Sequence, residues 1–534
     1  MSTNYDFIIV GGGSAGCVLA KRLSEDPSVR VLLLEAGKSD RHPLIHMPVG
    51  FAKMTDGPHT WGFVTAPQKH ANNREIPYAQ ARVIGGGSSI NAEVFTRGHP
   101  SDYDRWEQNE GCQGWAFKDI QKYFLRSEGN SVFADEWHGT EGPIGVSNLS
   151  PQAMTLAFVQ SCQQLGIPYN PDFNGANQAG SGVYQTTISD ARRCSAARGY
   201  LHPAMKQKNL HVMTNAMVRR ILFEAGRAKG VEVLAQKGGV RRIYVEREIL
   251  LSAGAIGTPK VMMLSGIGPA EHLRQYDINV VHDLPGVGSN LNDHFGIDIV
   301  AELRSHSSLD KYKKIHWSAW AGIEYFAFKT GPVASNVVEG GAFWYSKDGI
   351  AIPDLQFHFL AGAGAEAGVP SVPTGSSGIT LNSYALRPKA RGTVRLRSAD
   401  PNAAPIIDPN FLGHPADLET AVEGIKISRE IFSQSSLRKY IRMIRFPDEN
   451  VKTKADYEAY ARQYGRTSYH PTCTCKMGDE DDKMAVVDPQ LRVKGVTGLR
   501  ICDSSVMPSL IGSNTNAATI MIGEKASDLI RGNH

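Results

Sequence analysis

Gly11-x-Gly13-x-x-Gly16 is a spacing that can hold a pyrophosphate. Gly11 permits a tight turn, Gly13 lets backbone approach the phosphates, and Gly16 lets a helix lie close on the preceding strand. Ser14 and Ala15 then open a helix whose free N–H groups point at the anion. Glu35, followed by Ala36, stands about twenty residues beyond Gly16, where a carboxylate accepts hydrogen bonds from a ribose 2′-OH. A second cluster, Gly85-Gly86-Gly87-Ser88-Ser89-Ile90-Asn91, offers N–H groups to an anion or a polarised ring, or else is a flexible loop. Cys473-x-Cys475 is too closely spaced for a zinc pair or a CxxC redox pair, and no metal is expected.

These residues need particular elements to position them. Phe7 to Val10 is a continuous apolar run, the pattern of a buried parallel strand. Cys17 to Leu23 has helical spacing, and Val29 to Leu34 is a second strand that ends in Glu35. Strand, glycines, helix, strand and acid make a Rossmann-type dinucleotide site. Lys38 to Gln80 is long, polar and rich in Gly, Pro and His, which suits a functional cover. Residues 100–130 read as a helical connector, and Leu210–Met213 and Val231–Leu234 as strands. Ile249–Ala255 is a buried strand opening into a glycine turn, then a helix with Pro259 near its first turn. From about 298 to 467 alternating strands (Asp354–Leu360, Gly392–Leu396) precede a helix around Leu418–Phe432. Leu499–Ile501 is again a short strand, running into Asp503, Asn514-Thr515-Asn516 and a closing helix, Thr519–Ile530.

The expected fold is therefore mixed α/β. A Rossmann-type domain is assembled from both ends (1–153, 192–297 and 468–534). A substrate-binding domain built on an antiparallel sheet with helices takes 154–191 and 298–467.

At 534 residues, 41% hydrophobic and 21% charged, the chain has the composition of a soluble globular protein. A net charge of +4 without a long basic run argues against nucleic acid. Seven cysteines without a pattern suggest reduced thiols and a cytoplasmic location. No leader is expected, because the first apolar run serves as the strand before the glycines. No stretch is apolar enough to span a membrane.

Ordered motifs carry a family resemblance from residue 5 to about 530. Gly11 to Glu35 is a dinucleotide fingerprint. Ala81-Arg82-x-Ile84-Gly85-Gly86-Gly87-Ser88-x-Ile90-Asn91 and Gly254-Ala255-x-x-Thr258-Pro259 through Gly268 form two further signatures. Tyr469-His470-Pro471 to Gly478, then Asp503 and Asn514-Thr515-Asn516, complete the series. Together they resemble the glucose–methanol–choline (GMC) family of flavin oxidoreductases. Leu44–Pro48 and Ser335–Gly341 are similar to its bacterial branch of choline, alkanol and polyethylene glycol dehydrogenases.

The resemblance implies FAD. Gly11, Gly13, Ser14, Ala15, Gly16, Glu35, Ala36, Arg82, Gly85, Gly86, Ser88, Asn91, Ala92, Val218, Asp503, Asn514, Thr515 and Asn516 would hold it. Some family members attach the flavin through a His just before the Asn of the first signature. Here that position is Ile90, so FAD is expected to be non-covalent. Oxidising an alcohol removes a hydroxyl proton and a hydride. His470, with Pro471 restricting its backbone, is the implied base. Asn514 would hold the substrate oxygen, with Asn516 as the competitor for that role.

The expected reaction is oxidation of a primary alcohol (aliphatic or polyethylene glycol-type) to an aldehyde, with a quinone or similar electron acceptor. The alternatives are an O2-using alcohol or choline oxidase and a flavin-containing hydroxynitrile lyase. Glu339 either faces a cationic substrate such as choline or is solvated. Lys311 to Phe328 mixes bases and aromatics. It either lies at a membrane surface, on the inner face of the cytoplasmic membrane, or packs its aromatics in the second domain. Oligomeric state is left open.

Overall fold

The computed structural model describes residues 4–234, 239–305, 308–364 and 368–532. A parallel sheet holds the N-terminal fingerprint, with strand order Leu210–Met213, Val31–Leu34, Tyr5–Val10, Val240–Leu251, Leu499–Ile501. All four residues of Val31–Leu34 are buried, as are Phe7 to Val10, in a core that also takes in Val218, Ile221, Val231 and Val233 of the neighbouring antiparallel strands. The helix Ser14–Ser24 lies against the closing helix Asn516–Arg531, so the two chain ends share one core. Val240–Leu251 serves two sheets. Its first half pairs antiparallel with Arg227–Leu234, and its second half runs parallel to Tyr5–Val10.

The second sheet is antiparallel, in the order Ile441–Phe446, Phe295–Leu303, Gly378–Ala385, Leu355–Leu360, Gly340–Trp344, Gly180–Val183. Side chains alternate across it. Leu355, Phe357 and Phe359 point into a core shared with the helix Pro415–Ser433. Gln356, His358 and Leu360 therefore face the other way, towards the first sheet. Phe63, Ile76 and Tyr78, from the long segment after Glu35, pack in this second core as well.

Two expectations need correction. The helix Gly254–Leu264 starts earlier than expected, so Pro259 lies in its interior rather than its first turn. Proline has no N–H for the carbonyl of Ala255, and Thr474 Oγ1 donates to that carbonyl instead, at 2.6 Å. Apart from Tyr325, the aromatics of the helix Ile315–Phe328 are not packed inside: Ala321 and Tyr325 are its only buried residues, and Trp317, Trp320, Phe326 and Phe328 are exposed. All seven cysteines are buried and free. Among the described residues no cluster of metal ligands occurs.

Candidate active site

A cavity of about 340 Å³ runs between the two sheets. At one end lie Gly11, Gly13, Ser14 and Ala15, then Glu35 and Ala36 from the end of the second strand. Gly11, at φ +105°, cannot carry a side chain: a Cβ would meet Ser252 O at 2.4 Å. At Gly13 the reason for glycine is different. A Cβ there would meet nothing closer than 3.8 Å and would project into open space, as expected where a ligand must approach the backbone. Glu35 accepts from Gly12 N at 2.8 Å and Gly37 N at 2.7 Å, which fixes its carboxylate at the wall. Burial pushes its pKa up while those two N–H groups pull it down. This cradle fits a dinucleotide.

The second glycine cluster is ordered. Gly85 N donates to Gly12 O at 2.7 Å, tying the two glycine loops together. Gly86, Asn91 and Ala92 line the cavity, as do Val218, Asp503, Asn514, Thr515 and Asn516. Ser14 Oγ donates to Asn516 Oδ1 at 2.8 Å, joining the helix after the first glycines to the one that closes the chain. Asp503 accepts from Gly254 N (2.9 Å), Thr258 Oγ1 (2.6 Å) and Ser505 N (2.9 Å), pinning the third signature to the last strand.

Gly16, Arg82, Gly85 and Ser88 stand behind the wall. A Cβ on Gly16 would meet Gly11 O at 2.0 Å, so this position serves the packing of helix on strand. Arg82 lies over the ring of Trp61, 4.5 Å from its centre, and Trp61 lines the cavity. Ser88 Oγ donates to Gly85 O and accepts from Ala196 N.

The other end of the cavity holds His470 and Asn514, with Asn514 Nδ2 3.2 Å from His470 Nε2. The hydrogen-bond network fixes which nitrogen of His470 carries the proton. His294 Nε2 lies 2.9 Å from Leu386 O, a pure acceptor, so this nitrogen donates. Burial holds the pKa of His294 down at about 4, so its ring is neutral and its Nδ1 is a lone pair. That lone pair is 2.9 Å from His470 Nδ1, which must therefore donate. His470 Nε2 is left unprotonated, with Asn514 Nδ2 donating to it. Burial, then the neighbouring His294 and His358, hold His470 well below the usual histidine range. His470 is thus preset with Nε2 in its accepting form.

Asn514 is oriented by similar logic. Its Oδ1 accepts from Thr96 Oγ1 and from Gln356 Nε2, each at 3.0 Å, which leaves Nδ2 to point at His470. Tyr384 OH in turn donates to Gln356 Oε1 at 2.7 Å. The backbone also contributes: His470 N donates to Asp293 Oδ1 at 2.8 Å, and Tyr469 before it has φ +62°. A non-glycine residue in this region is strained, and strain of this kind collects at functional sites. Thr96, His294, Gln356, His358 and Tyr384 were not singled out from sequence. The only signal was the alternation along Asp354–Leu360, which marks two faces without saying that one meets a cavity.

Two carboxyls distinguish themselves. Glu339 is neither solvated nor at the cavity, contrary to both expectations. It is buried and accepts from Gln152 N (2.7 Å), Thr155 Oγ1 (2.8 Å) and Ser335 Oγ (2.7 Å). Burial pushes its pKa up, and the three donors offset only part of that rise. Glu93 was not foreseen at all. It lines the cavity, is fully buried, and neither oxygen has a hydrogen-bond partner among the described residues. Arg193 Nε is 3.5 Å away, and burial pushes Glu93 up to about 8.

Family models described as GMC oxidoreductase match residues 5–296 and 388–523. The chain is 42% identical over 531 residues to an oxygen-dependent choline dehydrogenase of Sinorhizobium fredii, covering 99% of this chain and 95% of that one. It is also 42% identical over 532 residues to an alcohol dehydrogenase (acceptor) of Pseudomonas putida, covering 98% and 95%. Among solved structures, a pyridoxine 4-oxidase from Mesorbium loti superposes with a TM-score of 0.89 at 28% identity, over 99% and 100% of the two chains. A formate oxidase from Aspergillus oryzae RIB40 superposes with a TM-score of 0.93 at 26% identity, over 100% and 99%.

Proposed function

The chain belongs to the GMC oxidoreductase family, and from that premise we propose that it oxidises a neutral primary alcohol to the aldehyde. It is an FAD-dependent enzyme acting on CH–OH donors. FAD supplies the hydride acceptor, held by the glycine loops, Glu35 and the start of the closing helix. The observation that carries the reading is the His470–Asn514 pair with its tautomer set by His294. The alcohol oxygen accepts from Asn514 Nδ2, and its hydroxyl proton passes to His470 Nε2. Asn514 stabilises the alkoxide character that develops as the proton leaves. Phe51, Trp61, Phe63, Val94, Val338 and Leu360 give the cavity an apolar wall suited to an aliphatic or polyether chain. Electrons then leave to a quinone-like acceptor.

One observation favours a second reading, with choline as substrate. Glu93 is a carboxyl without a hydrogen-bond partner in the same wall, and a quaternary ammonium beside it would draw it into its charged form. The choline dehydrogenase among the relatives points the same way.

The test is anaerobic mixing of the purified holoenzyme with a medium-chain primary alcohol, a polyether glycol or choline, watching the flavin's visible band. Bleaching by the alcohols is expected, slowed about 10²-fold or more in His470→Ala, the scale of a lost general base. Glu93→Gln should leave that rate within a few-fold. Bleaching by choline alone, abolished in Glu93→Gln, would replace the first reading by the second. No bleaching with any of them would favour a redox-silent lyase. Rapid recovery of colour in air would mark an oxidase.

A further inference from the structure

The helix Ile315–Phe328 has its amphipathicity reversed. Its buried line is Ala321 and Tyr325, with Tyr325 OH donating to Ala191 O at 3.0 Å. Its outward face carries Ile315 (86% exposed), Trp320 (57%), Ile323 (58%), Phe326 (65%) and, at the end, Phe328 (72%). At 100° per residue, Ile315, Ala319, Ile323 and Phe326 form one stripe opposite the buried line, flanked by Trp320 and Ala327. A contiguous exposed apolar face of this kind marks an interaction surface.

Charge identifies the occupant. Lys311 and Lys314 stand at the start of the helix and Lys329 just past its end, against one acid within it, Glu324, while Lys313 is paired with Asp310 at 2.7 Å. Lys311 Nζ is 5.5 Å from the centre of the Trp317 ring, and Lys329 Nζ is 5.1 Å from that of Tyr325. Lysines whose stems run along rings keep their heads free at the rim of an apolar patch. Pairing this face with a second copy of the chain would bring lysines onto lysines in either helix direction. An anionic lipid surface offers the opposite charge, and Trp and Tyr favour its interface. The helix cannot cross a bilayer: 14 residues rise about 21 Å, against a hydrocarbon core of about 30 Å.

We propose that the helix Ile315–Phe328 docks the protein on an anionic phospholipid membrane, lying in the interface with Ile315, Trp320, Ile323 and Phe326 among the acyl chains. The segment after the helix ties this surface to the cavity. Asn336 Nδ2 donates to Ala92 O at 2.6 Å, and Ala92 and Val338 both line the cavity. Docking therefore brings the site close to lipid-soluble reactants.

The test uses FAD-loaded protein sedimented with vesicles of equal parts phosphatidylcholine and phosphatidylglycerol, or of phosphatidylcholine alone. Binding to the mixed vesicles is expected, weakened by high salt and weaker on pure phosphatidylcholine. The double variant Ile323→Glu/Phe326→Glu should reduce the bound fraction about tenfold or more. Its flavin content and its turnover of a soluble alcohol with a dye should be unchanged, which shows that it has folded. Lys311→Glu/Lys314→Glu should weaken binding to the mixed vesicles only. Wild-type protein that stays in the supernatant with every vesicle overturns the proposal. So does a wild-type dimer that the double variant converts to monomer, since the face would then be a self-interface. Sedimentation needs no turnover, so failure here is separate from failure of the alcohol reading.

Discussion

At the scale of single residues, the site depends on a proton held in one place. His294 touches no substrate position; it acts by accepting from His470 Nδ1 and so keeping His470 Nε2 bare. Replacing it with Phe removes the acceptor and frees His470 to take the other tautomer, in which Nε2 carries the proton. His294→Phe should lower kcat/KM by about 10- to 100-fold. His294→Asn, whose amide oxygen can accept the same hydrogen bond, should recover most of the loss. A merely structural role for His294 would make the two variants equally poor. The pH profile gives a second measure. His470 is held well below the ordinary value of 6.5, so it stays unprotonated as pH falls through 6.5. The acid limb of kcat/KM should then lie well under 6.5, and a limb at 6.5 would contradict the burial of the base. His470 and Asn514 were legible because each sits in a recognisable local motif. His294 was not, because nothing in a stretch such as Asn292-Asp293-His294-Phe295 says which ring lies 176 residues away.

Secondary-structure elements were more legible than their relations. The strand and helix of the N-terminal fingerprint follow from apolar run and glycine spacing, and both were placed within a few residues. The strand Leu355–Leu360 was expected too, yet its polar side chains, Gln356 and His358, read equally well as a solvent face. Only the docking of the two sheets turns that face into a cavity wall. The helix Ile315–Phe328 misled for a related reason: periodicity says how residues divide between two faces, not which face is covered. Glu339 belongs at this scale. Its carboxylate ties the start of the helix Ala153–Gln164 to the strand Gly340–Trp344 by accepting from Gln152 N and Thr155 Oγ1. Glu339→Ala leaves these donors buried and unpaired, and should cost about 2 to 4 kcal/mol of stability. The thermal midpoint should drop while kcat and KM for alcohols stay as they were. A KM rise confined to choline, without loss of stability, would return Glu339 to the substrate site.

At the scale of the molecule, the cavity is where the two sheets meet, and its walls come from nearly the whole chain. The glycine loops and the closing helix supply one side; His358, Leu360 and Asn382 from the antiparallel sheet, with Val338 just before its strand Gly340–Trp344, supply the other. A ligand lying along it contacts both sheets, so its binding should stabilise their docking. Covalent attachment would need a nucleophile within reach. None of the seven cysteines lines the cavity, and residue 90 is isoleucine. Among the described residues two histidines line it, His358 and His470, and both are hydrogen-bonded, to Gln356 and Asn514 respectively. FAD should therefore leave with the supernatant when the holoenzyme is precipitated in acid. The thermal midpoint of the flavin-free protein should rise with added FAD, because a dissociable ligand at 100 times its Kd adds about 2.7 kcal/mol. Flavin that remained in the washed pellet, with a midpoint indifferent to free FAD, would mean a covalent bond. The attachment point would then have to be sought among the lining residues, with His470 and Tyr469 first.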